Sequence, residues 1–272
     1  MNVVHLLLYG VALVAYVSHF ATRNVAVGRT ATTLLVSAAL AHTFVIGMQT
    51  VEYHVPVFDT SSAISAFVWL LALAYLYTEM TTDERAMGVL ILPLLVILDA
   101  MTAFRPGVEE RAAVLRGPLF AIHVSSLLFA YASFALACVI GITYVLLYKE
   151  IKAKQLGFFY ARLPSLQILD QMNRVAIFIG WIFLTVGLLV GAVWAVGARG
   201  YAPSDPRVQA MSLQDPKIFV ALVCWAVYSF ELWARRMGWD AKRAAYLSTI
   251  GFAIVLLNFL PVSYFLTRSH NF

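Results

Sequence analysis

Charged side chains are scarce in this chain of 272 residues, since Asp, Glu, Lys and Arg together make up only 12%. A soluble domain carries about 25% charged residues, so this chain has too few to cover a water-facing surface. Hydrophobic residues make up 62% and are spread over the whole length. The composition excludes a soluble globular protein and predicts an integral membrane protein without a separate soluble domain.

Cysteine is also rare: Cys138 and Cys224 lie far apart, each inside an apolar run. No CxxC pair is present, which argues against disulfide exchange and against a c-type cytochrome. We therefore predict that both are small buried hydrophobic side chains. The net charge of +5 is too small to indicate a nucleic-acid surface, and the basic residues lie in short connections between apolar runs.

The signatures of several enzyme and transporter classes are missing. The sequence contains no HExxH, no phosphate-binding loop and no paired carboxylates inside a span, so nothing indicates hydrolysis or phosphoryl transfer. Broken helices and inverted repeats, which many solute transporters show, are not recognisable either.

Eight stretches are apolar enough and long enough to cross a bilayer, which takes about 20 residues. The fifth and sixth are long enough to project beyond the hydrocarbon core. We predict an all-α, polytopic membrane protein with about eight transmembrane helices in a single domain, residues 1–272. The first run lacks a basic start and a clear cleavage site, so we expect a retained span. The spans are 2–21, 31–50, 62–80, 87–104, 119–148, 173–198, 218–234 and 244–267.

Most Lys and Arg residues lie in the odd-numbered connections between these spans. Positive charge favours the cytoplasmic side, so we predict that both termini lie outside a bacterial inner membrane. His123 then falls at the outer end of the fifth span, and His270 just beyond the outer end of the eighth. Each is either a ligand or an interfacial anchor.

His42 lies within the second span, where an ionisable side chain is costly and usually functional. The alternative is a neutral imidazole hydrogen-bonded to a neighbouring helix.

Asp99 and Glu231 lie near span ends, where we expect their side chains to reach the interface without forming a proton path. The segment SLQILDQM (165–172), after Pro164, predicts a short amphipathic helix capped by Ser165; it either lies on the inner membrane surface or is a plain connector.

A polar loop rich in Gly, Pro and Asp separates GAVWA (191–195) from WAVY (225–228) and ends in DPK (215–217). It lies on the same predicted face as His123 and His270. Neutral imidazoles can coordinate haem iron axially, tryptophan can cover the macrocycle, and basic side chains can pair with propionates. These residue types would suit a haem-handling surface, with interfacial anchoring of the histidines as the alternative.

Further motifs occur in a fixed order along the chain. They are SAFVWLLALAYLYTE (65–79) after His42, HVSSLLFAYASFALACVIGITYVLLY (123–148), RLPSLQILD (162–170) and GWDAKRAAYLSTIGF (238–252). Together with GAVWA, DPK and WAVY they resemble the CcsA/HemX-like cytochrome c assembly family over nearly the whole chain.

The resemblance implies a membrane protein that handles haem for covalent attachment to apocytochrome c outside the membrane. It implies that His123 and His270 hold the iron of a non-covalent, b-type haem, and that His42 belongs to an intramembrane haem site. The implied partners are haem, membrane lipid, apocytochrome c and a second membrane assembly protein of the CcsB/ResB-like kind; no nucleic acid is expected. The other implied cofactor-binding residues are Trp194, Trp225, Asp215 and Lys217.

The chain departs from the family pattern at two places. MSLQ (211–214) stands where the family has a dense run of tryptophan, after an insert at 201–209, and Trp233 stands where a second intramembrane histidine is expected. These departures keep an alternative open: a HemX-like accessory or structural subunit of a larger membrane complex that does not transport haem.

Overall fold

A computed structural model describes residues 3–53, 60–103, 117–154, 157, 160–201 and 216–257. Every regular element in these ranges is an α-helix, and there are eight of them, which confirms the predicted all-α architecture. The helices are α1 (Val4–Thr22), α2 (Val25–Tyr53), α3 (Thr60–Thr82), α4 (Gly88–Ala103), α5 (Pro118–Lys152), α6 (Leu166–Tyr201), α7 (Pro216–Arg236) and α8 (Ala241–Leu257).

Six of these helices are long and apolar enough to cross a membrane: α1, α2, α3, α5, α6 and α7. Helix α4 is apolar but shorter, and α8 is described over 17 residues. Helices α5 and α6 have 35 and 36 residues, or about 50 Å at 1.5 Å per residue. This exceeds a hydrocarbon core of about 30 Å, so both helices extend beyond it as predicted.

Helix α6 includes the segment that the sequence assigned to a separate surface helix. The Ser165 hydroxyl oxygen accepts a hydrogen bond from the Ile168 backbone N–H at 3.3 Å, as expected of a cap. The helix then continues to Tyr201, so the prediction of a separate amphipathic helix is wrong. No glycine or proline interrupts residues 166–179, and the buried Asn173 side chain donates to the Ala137 carbonyl at 2.8 Å, which ties this part of α6 to α5.

Helix α5 is the centre of the bundle, since it packs against α3, α6 and α8. Small residues allow these close crossings. A Cβ atom on Gly180 of α6 would lie 2.5 Å from the Phe134 ring, which itself stacks on Tyr228 of α7 at 3.7 Å between ring centroids. Helix α1 packs against α2 and α4, and α3 connects this N-terminal group of helices to α5.

Successive helices run antiparallel, so functional side chains fall at two ends of the bundle. One end holds the starts of α1, α3 and α5 and the ends of α2, α4 and α6; we call it the histidine end because His5, His42 and His123 lie toward it. The opposite end carries two buried polar networks, one around Glu79 and one around Glu231.

Glu231 does not reach the interface, contrary to the expectation from its place near a span end. The residue is 1% exposed, and one carboxylate oxygen accepts a hydrogen bond from the Ser248 hydroxyl at 3.0 Å. Arg235 completes this network through Asp170 and Asn173. Buried carboxylates need such partners, and α6, α7 and α8 supply them here.

Both cysteines are free and buried, as predicted. Cys138 lies in α5 and Cys224 in α7, and each is enclosed by neighbouring helices. They therefore contribute as small apolar side chains.

Candidate functional site

His123 lies in the second turn of α5, whose first turn begins at Pro118. Its Nδ1 atom is 2.7 Å from the Gly187 carbonyl oxygen of α6. A carbonyl can only accept, so Nδ1 carries the hydrogen and, in a neutral imidazole, Nε2 carries the lone pair. This is the arrangement of a metal-ligating histidine, where a second hydrogen bond fixes the ring and its tautomer.

Two glycines of α6 make room for this contact. A Cβ atom on Gly191 would lie 2.4 Å from Cε1 and Nδ1 of His123, and one on Gly187 would lie 2.8 Å from Leu127. Real Cβ atoms do not approach other atoms so closely, so larger side chains at these positions would push the two helices or the imidazole away. Neither role was predicted from the sequence, although the spacing of Gly187 and Gly191 places them on one face of α6.

Trp194 covers the imidazole from the next turn of α6. Its ring lies nearly parallel to that of His123, at 12° and 6.5 Å between centroids, and it also contacts Phe120 at 5.0 Å. The residue is 7% exposed, and its buried indole Nε1 has no hydrogen-bond partner among the residues that the structure describes. Buried N–H groups nearly always have an acceptor, so the indole N–H of Trp194 is available to an acceptor from outside the described residues.

The other residues predicted around the loop have different positions. Trp225 lies on α7, where its indole N–H donates to the Thr185 hydroxyl at 3.0 Å. Thr185 precedes Trp194 by more than two turns of α6, so Trp225 is not part of the His123–Trp194 pair. Lys217 lies in the first turn of α7. His270 and Asp215 lie outside the described residues, so their predicted roles stay predictions.

His42 belongs to a second, fully buried polar cluster at the histidine end. It is 0% exposed, and its ring stacks on that of His5 at 4.1 Å and 20°. Nδ1 of His42 is 3.3 Å from the Tyr9 hydroxyl, and Nε2 is 2.8 Å from the Ser65 hydroxyl. The neighbouring helices α1 and α3 thus enclose the imidazole, as the second sequence interpretation of His42 expected.

Asp99 of α4 completes this cluster through a 3.2 Å contact between its Oδ1 atom and Nε2 of His5. It is 1% exposed, so the expectation that its side chain reaches the interface is wrong. No role for His5 was predicted from the sequence. The signal was present, however, because His5, Tyr9, Ala12, Tyr16 and Phe20 form one buried stripe along α1.

Trp233, at the position expected for a second intramembrane histidine, is 57% exposed on α7. Its ring contacts Phe230 on the outer side of the same helix. A side chain at this position faces away from the bundle, so residue 233 supplies no iron ligand to the bundle interior.

We expect Gly191→Ala to weaken ligand binding at His123. The added methyl would compete with the imidazole for the same space and break the alignment between Nδ1 and the Gly187 carbonyl. Loss of an orienting partner typically costs about 10–100-fold in metal affinity. Haem titration of the purified variant measures the loss, and Gly200→Ala, where a Cβ atom meets nothing within 4 Å, is the matched control. Equal affinity of the two variants would contradict the role given to Gly191.

The fold and this site define a polytopic α-helical membrane protein that fixes the tautomer of one imidazole near one end of its bundle. Residues 57–270 match the family described as Cytochrome C assembly protein, and the chain belongs to that family. The resemblance found in the sequence is thereby confirmed, and the match begins after α2.

Curated relatives carry the name cytochrome c biogenesis protein CcsA. The protein of Heterosigma akashiwo is 28% identical over 240 residues, which cover 75% of this chain and 72% of that protein. The protein of Guillardia theta is 26% identical over 257 residues, which cover 86% of this chain and 82% of its own length. The protein of Chlorella vulgaris is 27% identical over 244 residues, which cover 77% of this chain and 75% of that protein.

Proposed function

We propose that this protein acts in cytochrome c maturation by binding haem at the histidine end of its bundle and presenting it for attachment to apocytochrome c. Membership of the cytochrome C assembly protein family and the names of the CcsA relatives support the role in maturation. The observation that carries the haem site is the His123 imidazole, whose Nδ1–H is fixed by Gly187 while Nε2 remains the lone-pair atom.

The residues around His123 fit a haem in two respects. Nε2 of a neutral imidazole is a good axial ligand for haem iron, and the indole N–H of Trp194, which has no acceptor among the described residues, offers a hydrogen-bond donor for a propionate. The apolar body of Trp194 would shield the iron from water. His270 is the proposed second axial ligand of this non-covalent, b-type haem, with Lys217 or Arg199 as a propionate partner.

The proposal also covers partners and location. Apocytochrome c receives the haem, and a second membrane assembly protein of the CcsB/ResB-like kind works beside this chain. The six long apolar helices support a multi-pass membrane protein, for which we propose a bacterial inner membrane. The outward face of Trp233 favours one alternative, a HemX-like accessory without a haem route through the membrane, because no ligand enters the bundle there.

The absorption spectrum of the purified full-length chain tests the proposal. After expression with haem supplied, we expect a stoichiometric haem with the spectrum of bis-imidazole, low-spin iron. Acidification should weaken binding, because protons compete with iron for the imidazole lone pairs. A protein that stays colourless after reconstitution with haem at any pH would favour the accessory subunit instead.

A separate prediction concerns orientation. From the distribution of Lys and Arg we expect both termini and the 199–217 loop to face outward. An engineered Ser204→Cys in a background without Cys138 and Cys224 should react with a membrane-impermeant maleimide in intact cells. Labelling only in inside-out vesicles would reverse the orientation and would place the histidine end in the cytoplasm.

A further inference from the structure

The cluster around His42 lies apart from the proposed haem site and has its own chemistry. His5 comes from α1, His42 from α2 and Asp99 from α4. One ligand atom from each residue lies within 4.8 Å of the others, and all three residues are buried. Three helices therefore bring two imidazoles and one carboxylate together in the interior of the N-terminal group of helices.

Two atoms of this cluster lack partners in a way that indicates a cation. Nε2 of His5 contacts Asp99 Oδ1, while the buried atoms His5 Nδ1 and Asp99 Oδ2 have no hydrogen-bond partner in the described parts of the chain. A carboxylate oxygen can only accept, so Nε2 is the donor and Nδ1 of a neutral His5 carries a lone pair. Both unpartnered atoms thus offer lone pairs, and buried polar atoms rarely remain unpartnered. A bound positive ion would satisfy both.

We propose that His5, His42 and Asp99 bind a divalent first-row transition metal ion within the membrane region. Two imidazoles and one carboxylate are ligands that Zn²⁺, Fe²⁺ and Co²⁺ accept. Bonds of about 2.0–2.1 Å set tetrahedral ligand atoms about 3.3 Å apart. The separations of up to 4.8 Å must therefore shorten when the ion binds, and we expect rotation of the side chains to contribute to this.

The surroundings of His42 show which atoms change partners. Its contact with the Ser65 hydroxyl, 2.8 Å from Nε2, is short, whereas the contact with the Tyr9 hydroxyl, 3.3 Å from Nδ1, is long. Nδ1 therefore exchanges its partner for the ion more easily, and Nε2–H keeps Ser65 as the outer partner that ligating histidines usually have. An ion lies in the plane of each ligand ring, so the His5 ring, now stacked on His42, turns about its χ2 angle.

A single ion fits this place better than a haem. The imidazoles are in stacking contact at 4.1 Å, and Tyr9 and Ser65 enclose His42 on both nitrogen atoms. A macrocycle would require the separation of α1, α2 and α3, whereas an ion is small enough to lie between the three side chains. The inference does not depend on the haem site at His123.

Metal titration of the full-length, tag-free protein tests the inference. After treatment with a chelator, Co²⁺ should bind the wild-type protein with d–d absorption bands of a low-symmetry site, and Zn²⁺ should displace it. Asp99→Asn preserves the shape of the side chain but removes its charge, and we expect at least tenfold weaker binding. Ser65→Ala should weaken binding about 10–100-fold through the outer partner. His19→Gln, at the other end of α1, should bind like the wild type.

Unchanged Co²⁺ affinity in Asp99→Asn and in His5→Gln would overturn the proposal, and so would a wild-type protein that binds no Co²⁺ or Zn²⁺. If the variants do not fold, X-ray absorption of the Zn²⁺-loaded wild-type protein decides. Scattering from two imidazoles supports the site, and its absence refutes it. The haem spectrum of Asp99→Asn, recorded in parallel, shows whether haem binding is retained when metal binding is lost, so the two proposals are tested independently.

Discussion

Replacing His123 with alanine should abolish the low-spin haem spectrum of the purified protein, whereas replacing His42 should leave it intact. His123 presents a lone-pair nitrogen at the histidine end, held by the Gly187 carbonyl and covered by Trp194. His42 is enclosed by Tyr9, Ser65 and His5, so it has no free nitrogen for a macrocycle. The ordering of the two variants follows from these surroundings.

Added imidazole provides an internal control for this prediction. His123→Ala removes a ligand and leaves space beside Gly191, so free imidazole should enter and restore the low-spin spectrum. His42→Ala needs no such rescue, and its thermal unfolding shows whether the N-terminal helices remain intact. Loss of haem in His42→Ala combined with retention in His123→Ala would transfer the haem site to the α1–α4 group of helices.

The sequence predicted the helices well because each span has to satisfy its backbone internally and stay apolar over its length. It failed where local signals conflict with packing. Ser165 and the amphipathic pattern after it are a correct start signal, but α6 continues into the membrane span, where the buried Asn173 bonds to α5. The start of a helix can be read locally, whereas its continuation depends on contacts from distant parts of the chain.

The candidate site could be predicted from the sequence only in part, for the same reason. His123 and Trp194 were found through family motifs, and their contact was consistent with the predicted shared face. The role of His5 was not predicted, because it depends on the contact with Asp99, which lies 94 residues away in the sequence. The role of Gly191 could not be predicted from the sequence either, since glycine occurs in membrane helices for many reasons. Only the structure shows that a Cβ atom at this position would lie 2.4 Å from the His123 ring.

Arg235→Ala should be the most destabilising single substitution in the polar network at the opposite end of the bundle. The guanidinium group pairs with Asp170 and donates to the Asn173 side-chain oxygen at 2.7 Å, and it lies 3.7 Å from Glu231. The side chain of Arg235 is only 6% exposed. Removing one partner of a buried ion pair leaves an uncompensated charge and costs about 3–5 kcal/mol.

Thermal unfolding in detergent, with the wild-type protein and Arg236→Ala as references, measures this loss. Arg236 is the exposed neighbour, so its removal should change the unfolding temperature little. The double variant Arg235→Met with Glu231→Gln removes the guanidinium group and the fully buried Glu231 carboxylate at similar volume, while Asp170 keeps its 2.9 Å ion pair with Arg174. We expect it to recover most of the stability, because an apolar or neutral replacement avoids the unpaired carboxylate. If Arg235→Ala unfolds at the same temperature as Arg236→Ala, the network contributes nothing to joining α6, α7 and α8.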